Sequence, residues 1–230
     1  MTHDDEAVLS FEEPAYPMQA RIRSVCVFGG ASSGYDPRLG EAAATLGGAI
    51  GAAGLRLVYG GGCEGLMGAI AGSATRAGGE VIAIVPRFLM GRMCMPTGLS
   101  HAITVPDIHV RKRLMFDYAD AFDALPGGIG TIEELAEVMT WRKLERHGKP
   151  ILLANFHGFW SPWLDLLSHL ETAGFLSGQV STACLVAHAP DTVLPMLQRG
   201  VSFTQERFAT RDPFNPVMPT QTLPVETAAL

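Results

Sequence analysis

Short apolar runs of strand length alternate along this chain with longer segments of helical period. The strand-length runs are Ser24 to Phe28, Leu55 to Tyr59, Val81 to Val85, Ala121 to Leu125 and Pro150 to Ala154, with weaker ones near Ile103 and Leu185. Several are apolar at every position, the pattern of strands covered on both faces. Helical periodicity occupies residues 37–53, 64–77, 107–120, 131–146, 160–173 and 190–198. Alternation of this kind implies right-handed crossovers and an α/β class: a Rossmann-like, doubly wound, mostly parallel sheet in a single domain. Ligands of such sheets sit beyond the carboxyl ends of the strands, so the chemistry is sought in the residues that follow each strand.

The two ends of the chain lack this pattern. Residues 1–20 hold five acids and no base and read as an acidic flexible tail, residues 21–200 as the folded domain, and the proline-rich residues 201–230 as a second tail. Charge changes the picture by exclusion. The 230 residues carry 17 Lys and Arg against 23 Asp and Glu, a net of −6, which argues against a basic nucleic-acid binder. No apolar run reaches the roughly 18 residues that span a bilayer, and the acidic start is the reverse of a secretory leader. A cytoplasmic protein with no membrane partner is therefore expected. Cys26, Cys63, Cys94 and Cys184 form no C-x-x-C pair, so neither a zinc knuckle nor a redox dithiol is expected, only reduced and mostly buried thiols.

Three of the loops that follow strands are rich in glycine: Phe28 to Gly34, Gly60 to Gly68, and Pro126 to Thr131. Each feeds a helix, so bare backbone can bring N–H groups and a helix's positive end up to an anion. Tight turns alone could explain any one of them; three on one edge suggest a phosphorylated ligand. Gly60, Gly62 and Gly65 spell G-x-G-x-x-G, but no acid ends the following strand to hold a ribose, and NAD is set aside. The seven histidines include no i, i+4 pair with an acid between, and no metal or cofactor is expected.

Within Asp107 to Asp120, the periodicity puts Ile108, Val110, Leu114, Met115, Tyr118 and Ala119 on one apolar arc, with Arg111 near its centre and Lys112 and Arg113 toward solvent or the rim. A guanidinium on the core side requires an anion: either a ligand or an internal partner such as Glu134. Thr131 and Glu134 have capping-box spacing, yet Glu134, Val138 and Trp141 also share one helix face one turn from a glycine loop. Glu133 and Glu137 read as solvated. A carboxylate so placed suits a reaction that develops positive charge on a sugar.

The segments GGGCEGLMG, IHVRKRLM and DAFDALPGGIGTIEEL resemble the Lonely Guy family of cytokinin-activating phosphoribohydrolases, and the likeness runs from about Ser24 to Leu197. The resemblance implies a homodimer that hydrolyses the N-glycosidic bond of an N6-modified adenosine 5'-monophosphate to free base and ribose 5-phosphate. It implies Arg111 and Glu134 as catalytic residues. The nucleoside 5'-monophosphate would be held by Gly127, Gly128, Gly130 and Thr131, by Gly61, Gly62 and Met67, and by Ser32, His109 and Lys112. Arg111 would keep Glu134 ionised, and Asp120 and Asp123 are the candidate acids for the leaving purine. Ile108, Cys63-Glu64 and Lys143 depart from the family's usual residues, which bears on the adenine substituent accepted. The alternatives are AMP nucleosidase activity and a non-catalytic carrier of a nucleotide or of molybdenum cofactor. A lysine decarboxylase, the label often given to such sequences, would need pyridoxal phosphate on one of only three lysines, Lys112, Lys143 and Lys149, none of which follows a strand beside an evident cofactor partner.

Overall fold

The computed structural model describes residues 21–176 and 184–209. Seven strands, β1 (Ser24–Phe28), β2 (Arg56–Tyr59), β3 (Val81–Pro86), β4 (His101–Val105), β5 (Ala121–Ala124), β6 (Ile151–Ala154) and β7 (Cys184–Ala187), form one sheet in the order β4-β3-β2-β1-β5-β6-β7. Every pairing is parallel. The helices are α1 (Pro37–Ala52), α2 (Gly65–Arg76), α3 (Ile108–Tyr118), α4 (Ile129–Lys143), α5 (Ser161–Thr172) and α6 (Pro190–Ala209). The chain winds outward from β1 to β4, returns to lay β5 beside β1, and winds outward again, so the order reverses between β1 and β5. A doubly wound sheet opens its ligand crevice at such a reversal.

Alternation within each strand feeds two cores. Val25, Val27, Leu57, Tyr59, Ala83 and Leu152 pack under α1, α2 and α6, while Cys26, Phe28, Val58, Ile84, Phe122 and Leu153 pack under α3, α4 and α5. Helices α1 and α2 approach very closely, because a β-carbon at Gly47 would run into the Ile70 carbonyl. On the other face Trp160 is buried; its Nε1 donates to Ala124 O at 2.9 Å and its backbone N–H to Asn155 Oδ1 at 2.7 Å. That tie fixes the end of β5, and with it the start of the third glycine loop.

The elements follow the hydrophobic pattern closely, with two corrections. Helix α6 continues to Ala209, well past 198 and past the boundary at 200, and it carries Pro195 inside it. Helix α4 starts at Ile129 with Gly128 as its cap residue, so Thr131 lies in the first turn and the capping box does not form. The tail expected at 1–20 lies outside the described residues, as does the 210–230 part of the tail expected at 201–230. No helix among the described residues is long and apolar enough to cross a membrane.

Asp123 in β5 is fully buried with neither carboxylate oxygen hydrogen-bonded, and burial pushes its carboxyl up to about 8. The unfolded chain gives up this proton near its ordinary value of about 4, whereas the folded one retains it, so stability is lost as pH rises from about 4 to 8. Asp123→Asn removes that slope. In urea denaturation at pH 5 and pH 8, the wild type is expected to lose roughly 2–4 kcal/mol more between the two than the variant does.

Candidate functional site

Backbone hydrogen bonds gather the three glycine loops at the reversal between β1 and β5. Gly30 N donates to Pro126 O at 2.9 Å, and Gly30 O accepts from Leu66 N and Met67 N at 3.1 and 3.3 Å. The first loop is thereby bonded to both of the others. A β-carbon at Gly30 would stand 2.9 Å from Ser32 O, and one at Gly65 would overlap the Ala31 carbonyl. In the second loop, Gly61 and Gly62 have φ of +88° and +93°, a conformation that favours glycine. Gly60 has another reason to be bare: a β-carbon there would overlap the Arg111 guanidinium.

Arg111 lies against that loop and reaches α4, where its Nη2 is 3.3 Å from Glu134 Oε1. The two side chains are 16% and 12% exposed, so the pair is nearly removed from water but not sealed. Arg111 Nε is buried with no hydrogen-bond acceptor. The Glu134 carboxyl is raised above its usual range, first by burial, against which the Arg111 charge pulls down. Arg111 thus pulls toward the ionised form, the direction expected of it, but desolvation outweighs that pull.

At the start of α4 the amides of Ile129, Gly130 and Thr131 precede the first intrahelical bond, Ile132 N to Gly128 O at 3.1 Å. Gly128 and Gly130 have ordinary φ, and a β-carbon at either would meet nothing within 4 Å. The protein's own packing therefore does not require glycine at these two positions; their bareness leaves the helix's positive end open to an incoming anion. Gly127, by contrast, packs on the Thr131 hydroxyl and on Gly30 N, and Thr131 is buried.

Of the other residues expected at the site, Met67 is buried with its terminal methyl against Gly29. Ser32 and His109 are exposed, His109 in the first turn of α3, where its N–H is capped by Asp107 at 2.8 Å. Lys112 departs from expectation. It is buried, and its Nζ pairs with Glu133 and, at 3.1 Å, with Glu137. The inner face of α3 is Ile108, Lys112, Met115 and Ala119, which leaves Val110 and Tyr118 of the expected arc exposed. Two carboxylates waiting on α4 make a buried ammonium tolerable, and Glu133 and Glu137 are partners rather than solvated residues.

Neither candidate acid can serve a leaving purine. Asp120 Oδ2 accepts from Arg23 N, Ser24 N and Ser24 Oγ at 2.9–3.0 Å, at the amino ends of the strands. Asp123 is walled in by the core. Those amino ends also border an open cleft of about 970 Å³ lined by Arg21, Arg23, Arg56 and Glu80, at the opposite end of the sheet from Arg111 and Glu134. His147, which the sequence does not flag, is buried, with Nε2 against Val138 O at 3.0 Å and Nδ1 accepting from Lys149 N. Burial lowers it to about 4, so it is a neutral structural imidazole.

The expectation of four reduced thiols is corrected for two of them. Cys63 and Cys94 are bonded as a disulfide, their Cα atoms 5.4 Å apart, while Cys26 and Cys184 are free and buried. The 3₁₀ turn Arg87–Leu89 and the residues after it fold back over the second glycine loop, bringing together cysteines 31 positions apart.

Fold and site define a doubly wound α/β protein whose glycine loops meet beside a largely buried guanidinium–carboxylate pair. A family model described as "Possible lysine decarboxylase" matches residues 67–197. The chain is 39% identical over 181 residues to a cytokinin riboside 5'-monophosphate phosphoribohydrolase of Rhodococcoides fascians, covering 75% of this chain and 90% of that one. It is 41% identical over 159 residues to one of Arabidopsis thaliana, covering 69% and 73%. The chain belongs to the Lonely Guy family of phosphoribohydrolases, the family to which that model corresponds. Among solved structures it is similar in fold to the molybdenum cofactor carrier protein of Chlamydomonas reinhardtii, with TM-score 0.61, 19% identity and coverage of 80% and 99%. The molybdenum cofactor binding protein of Rippkaea orientalis gives 0.56, 22%, 76% and 94%.

The Lys112 bridge joins α3 to α4 one residue from each member of the Arg111–Glu134 pair. Because Glu133 is half-exposed and can rehydrate, Lys112→Met is expected to cost about 1–2 kcal/mol in urea denaturation. Arg113→Ala, which breaks the exposed pair with Asp117, should cost less than about 0.5 kcal/mol by the same measurement.

Proposed function

We propose that this protein hydrolyses the N-glycosidic bond of an N6-modified adenosine 5'-monophosphate, yielding the free base and ribose 5-phosphate. The observation that carries the reading is the Arg111–Glu134 pair, 3.3 Å apart against Gly60, one helical turn from an open helix N-terminus. The names of the relatives agree with it.

In this reading the phosphate sits on the amides of Gly128 to Thr131, with Gly127 forming the turn beneath it. Ser32 and His109 stand at the rim, and Gly61, Gly62 and Met67 line the nucleotide pocket. Lys112 holds α3 on α4 rather than touching the substrate. As the bond to the base stretches, positive charge grows on the ribose, and the Glu134 carboxylate stabilises it in a site largely cleared of water. Burial makes Glu134 a stronger base than an exposed carboxylate, which suits it to take a proton from the attacking water. Arg111 fixes the position of Glu134 and orients the ribose.

The residues do not fit pyridoxal phosphate. Lys112 is held by two glutamates, Lys149 Nζ donates to Phe116 O at 2.7 Å, and Lys143 lies exposed at the far end of α4. We also propose that the protein is cytoplasmic, extending the charge and hydropathy reading, and that it is the homodimer implied by the family resemblance. Val110, Leu114 and Tyr118 recur every four residues along the outer side of α3, the first and last of them exposed, and Ile129 stands 83% exposed at the start of α4. A second copy laid on this face would cover the stripe beside the site.

The test incubates purified protein with AMP and with N6-isopentenyl-AMP and follows free base by chromatography. Release from the N6-modified nucleotide is expected, with kcat/KM at least about 100-fold lower in Glu134→Gln and in Arg111→Ala. Release from AMP alone supports the nucleosidase alternative. Tight retention without turnover supports a carrier. The acid limb of the kcat/KM profile should lie above the ordinary carboxylate range, since Glu134 is raised, and light scattering should give twice the chain mass.

A further inference from the structure

Cys63 interrupts the second glycine loop, and Cys94 lies in the connection between β3 and β4, residues 87–100. The same connection presents two sulfurs to the loop. A β-carbon built on Gly61 would stand 3.4 Å from Met93 Sδ and 3.9 Å from Met95 Sδ. Gly60, the next residue, lies against the Arg111 guanidinium. A single covalent bond therefore joins the loop that supports Arg111 to the segment covering that loop. Cys94 is exposed and Cys63 half-buried, whereas Cys26 and Cys184 are buried, so only the first two are open to exchange with small molecules.

We propose that Cys63 and Cys94 form a reversible thiol–disulfide site, oxidised by a low-molecular-weight disulfide, that pins residues 87–100 onto the second glycine loop and so sets how firmly the nucleotide pocket is walled. The effect on the pocket rests on the function proposed above; the exchange chemistry does not. The Cys94 thiolate attacks one sulfur of the small disulfide and expels a thiolate, giving a mixed disulfide. The Cys63 thiolate then attacks the Cys94 sulfur and expels the second. The cysteine pair loses two electrons and two protons, and one small disulfide becomes two small thiols. With the bridge closed, Met93 and Met95 are held against Gly61. With it open, only their van der Waals contacts hold the connection there. A wall fixed in advance binds its ligand with less ordering cost, so the oxidised form has the lower KM.

The full-length protein is equilibrated with oxidised glutathione or with dithiothreitol, denatured, alkylated and weighed. Two alkylated cysteines after oxidation and four after reduction are expected. Hydrogen exchange across 87–100 should be at least about fivefold slower in the oxidised protein, and KM for N6-isopentenyl-AMP at least about threefold lower. Cys94→Ser should form no internal bridge, carrying at most a glutathione adduct on Cys63, and its exchange across 87–100 should not slow on oxidation. Four alkylated cysteines after oxidation would overturn the proposal, as would a bridge that changes neither exchange nor KM. If the bridge forms and exchange slows but no base is released in either state, the clasp stands and the hydrolase reading fails.

Discussion

The carbonyl and amide of Gly30 hold this site together. One peptide group accepts from the first turn of α2, the adjacent N–H donates to Pro126, the first residue of the third glycine loop, and a side chain at Gly30 would meet Ser32 O. Because β1 and β5 are neighbours at the point where strand order reverses, helices starting from β2 and β5 can both be tied to the loop after β1. Everything the site uses is hung from this junction: the Gly60 surface on which Arg111 lies, the open start of α4, and the helix that carries Glu134. The glycines are there for different reasons, some to clear a backbone contact, some to turn the chain, and two to leave room.

The electrostatics follow from how much water this arrangement removes. Arg111 and Glu134 are buried enough that desolvation, not mutual attraction, decides which way the carboxyl shifts, and exposed enough to meet a ligand. A fully sealed pair would be a structural strut. A fully exposed one would be screened to insignificance. The intermediate depth comes from the α3–α4 packing, which the neighbouring Lys112 fixes from the other side.

The sheet was legible because its strands are apolar throughout, and a run such as Val81 to Val85 has no other stable use in a chain of this composition. The Arg111–Glu134 pair was legible for a related reason: a charge predicted on a core face demands a partner, and few were in reach. Lys112 was missed because periodicity assigns an ammonium outward by default; its spacing with Ile108, Met115 and Ala119 was the available signal, overridden by its charge. The start of α4 was misplaced by two residues, since Thr131 is a good cap residue and Gly128 merely a permissive one. Helix α6 runs through Pro195, as its expected span implies, but continues past the end at 198 that its pattern suggests. The Cys63–Cys94 bridge could not be read at all: the connection that brings the two together has no periodicity, and their spacing matches no motif.

Arg111 and Lys112 are adjacent cations that face different neighbours, one toward glycine-lined space and one into a clamp of two glutamates. Transposing these two letters would leave composition, net charge and helix propensity untouched. A compact ammonium would then stand where a flat, forked group spreads over bare backbone, and a guanidinium would have to enter a slot sized for a single nitrogen. Order within a basic dipeptide, invisible to any count of charges, is therefore part of what this protein's sequence specifies.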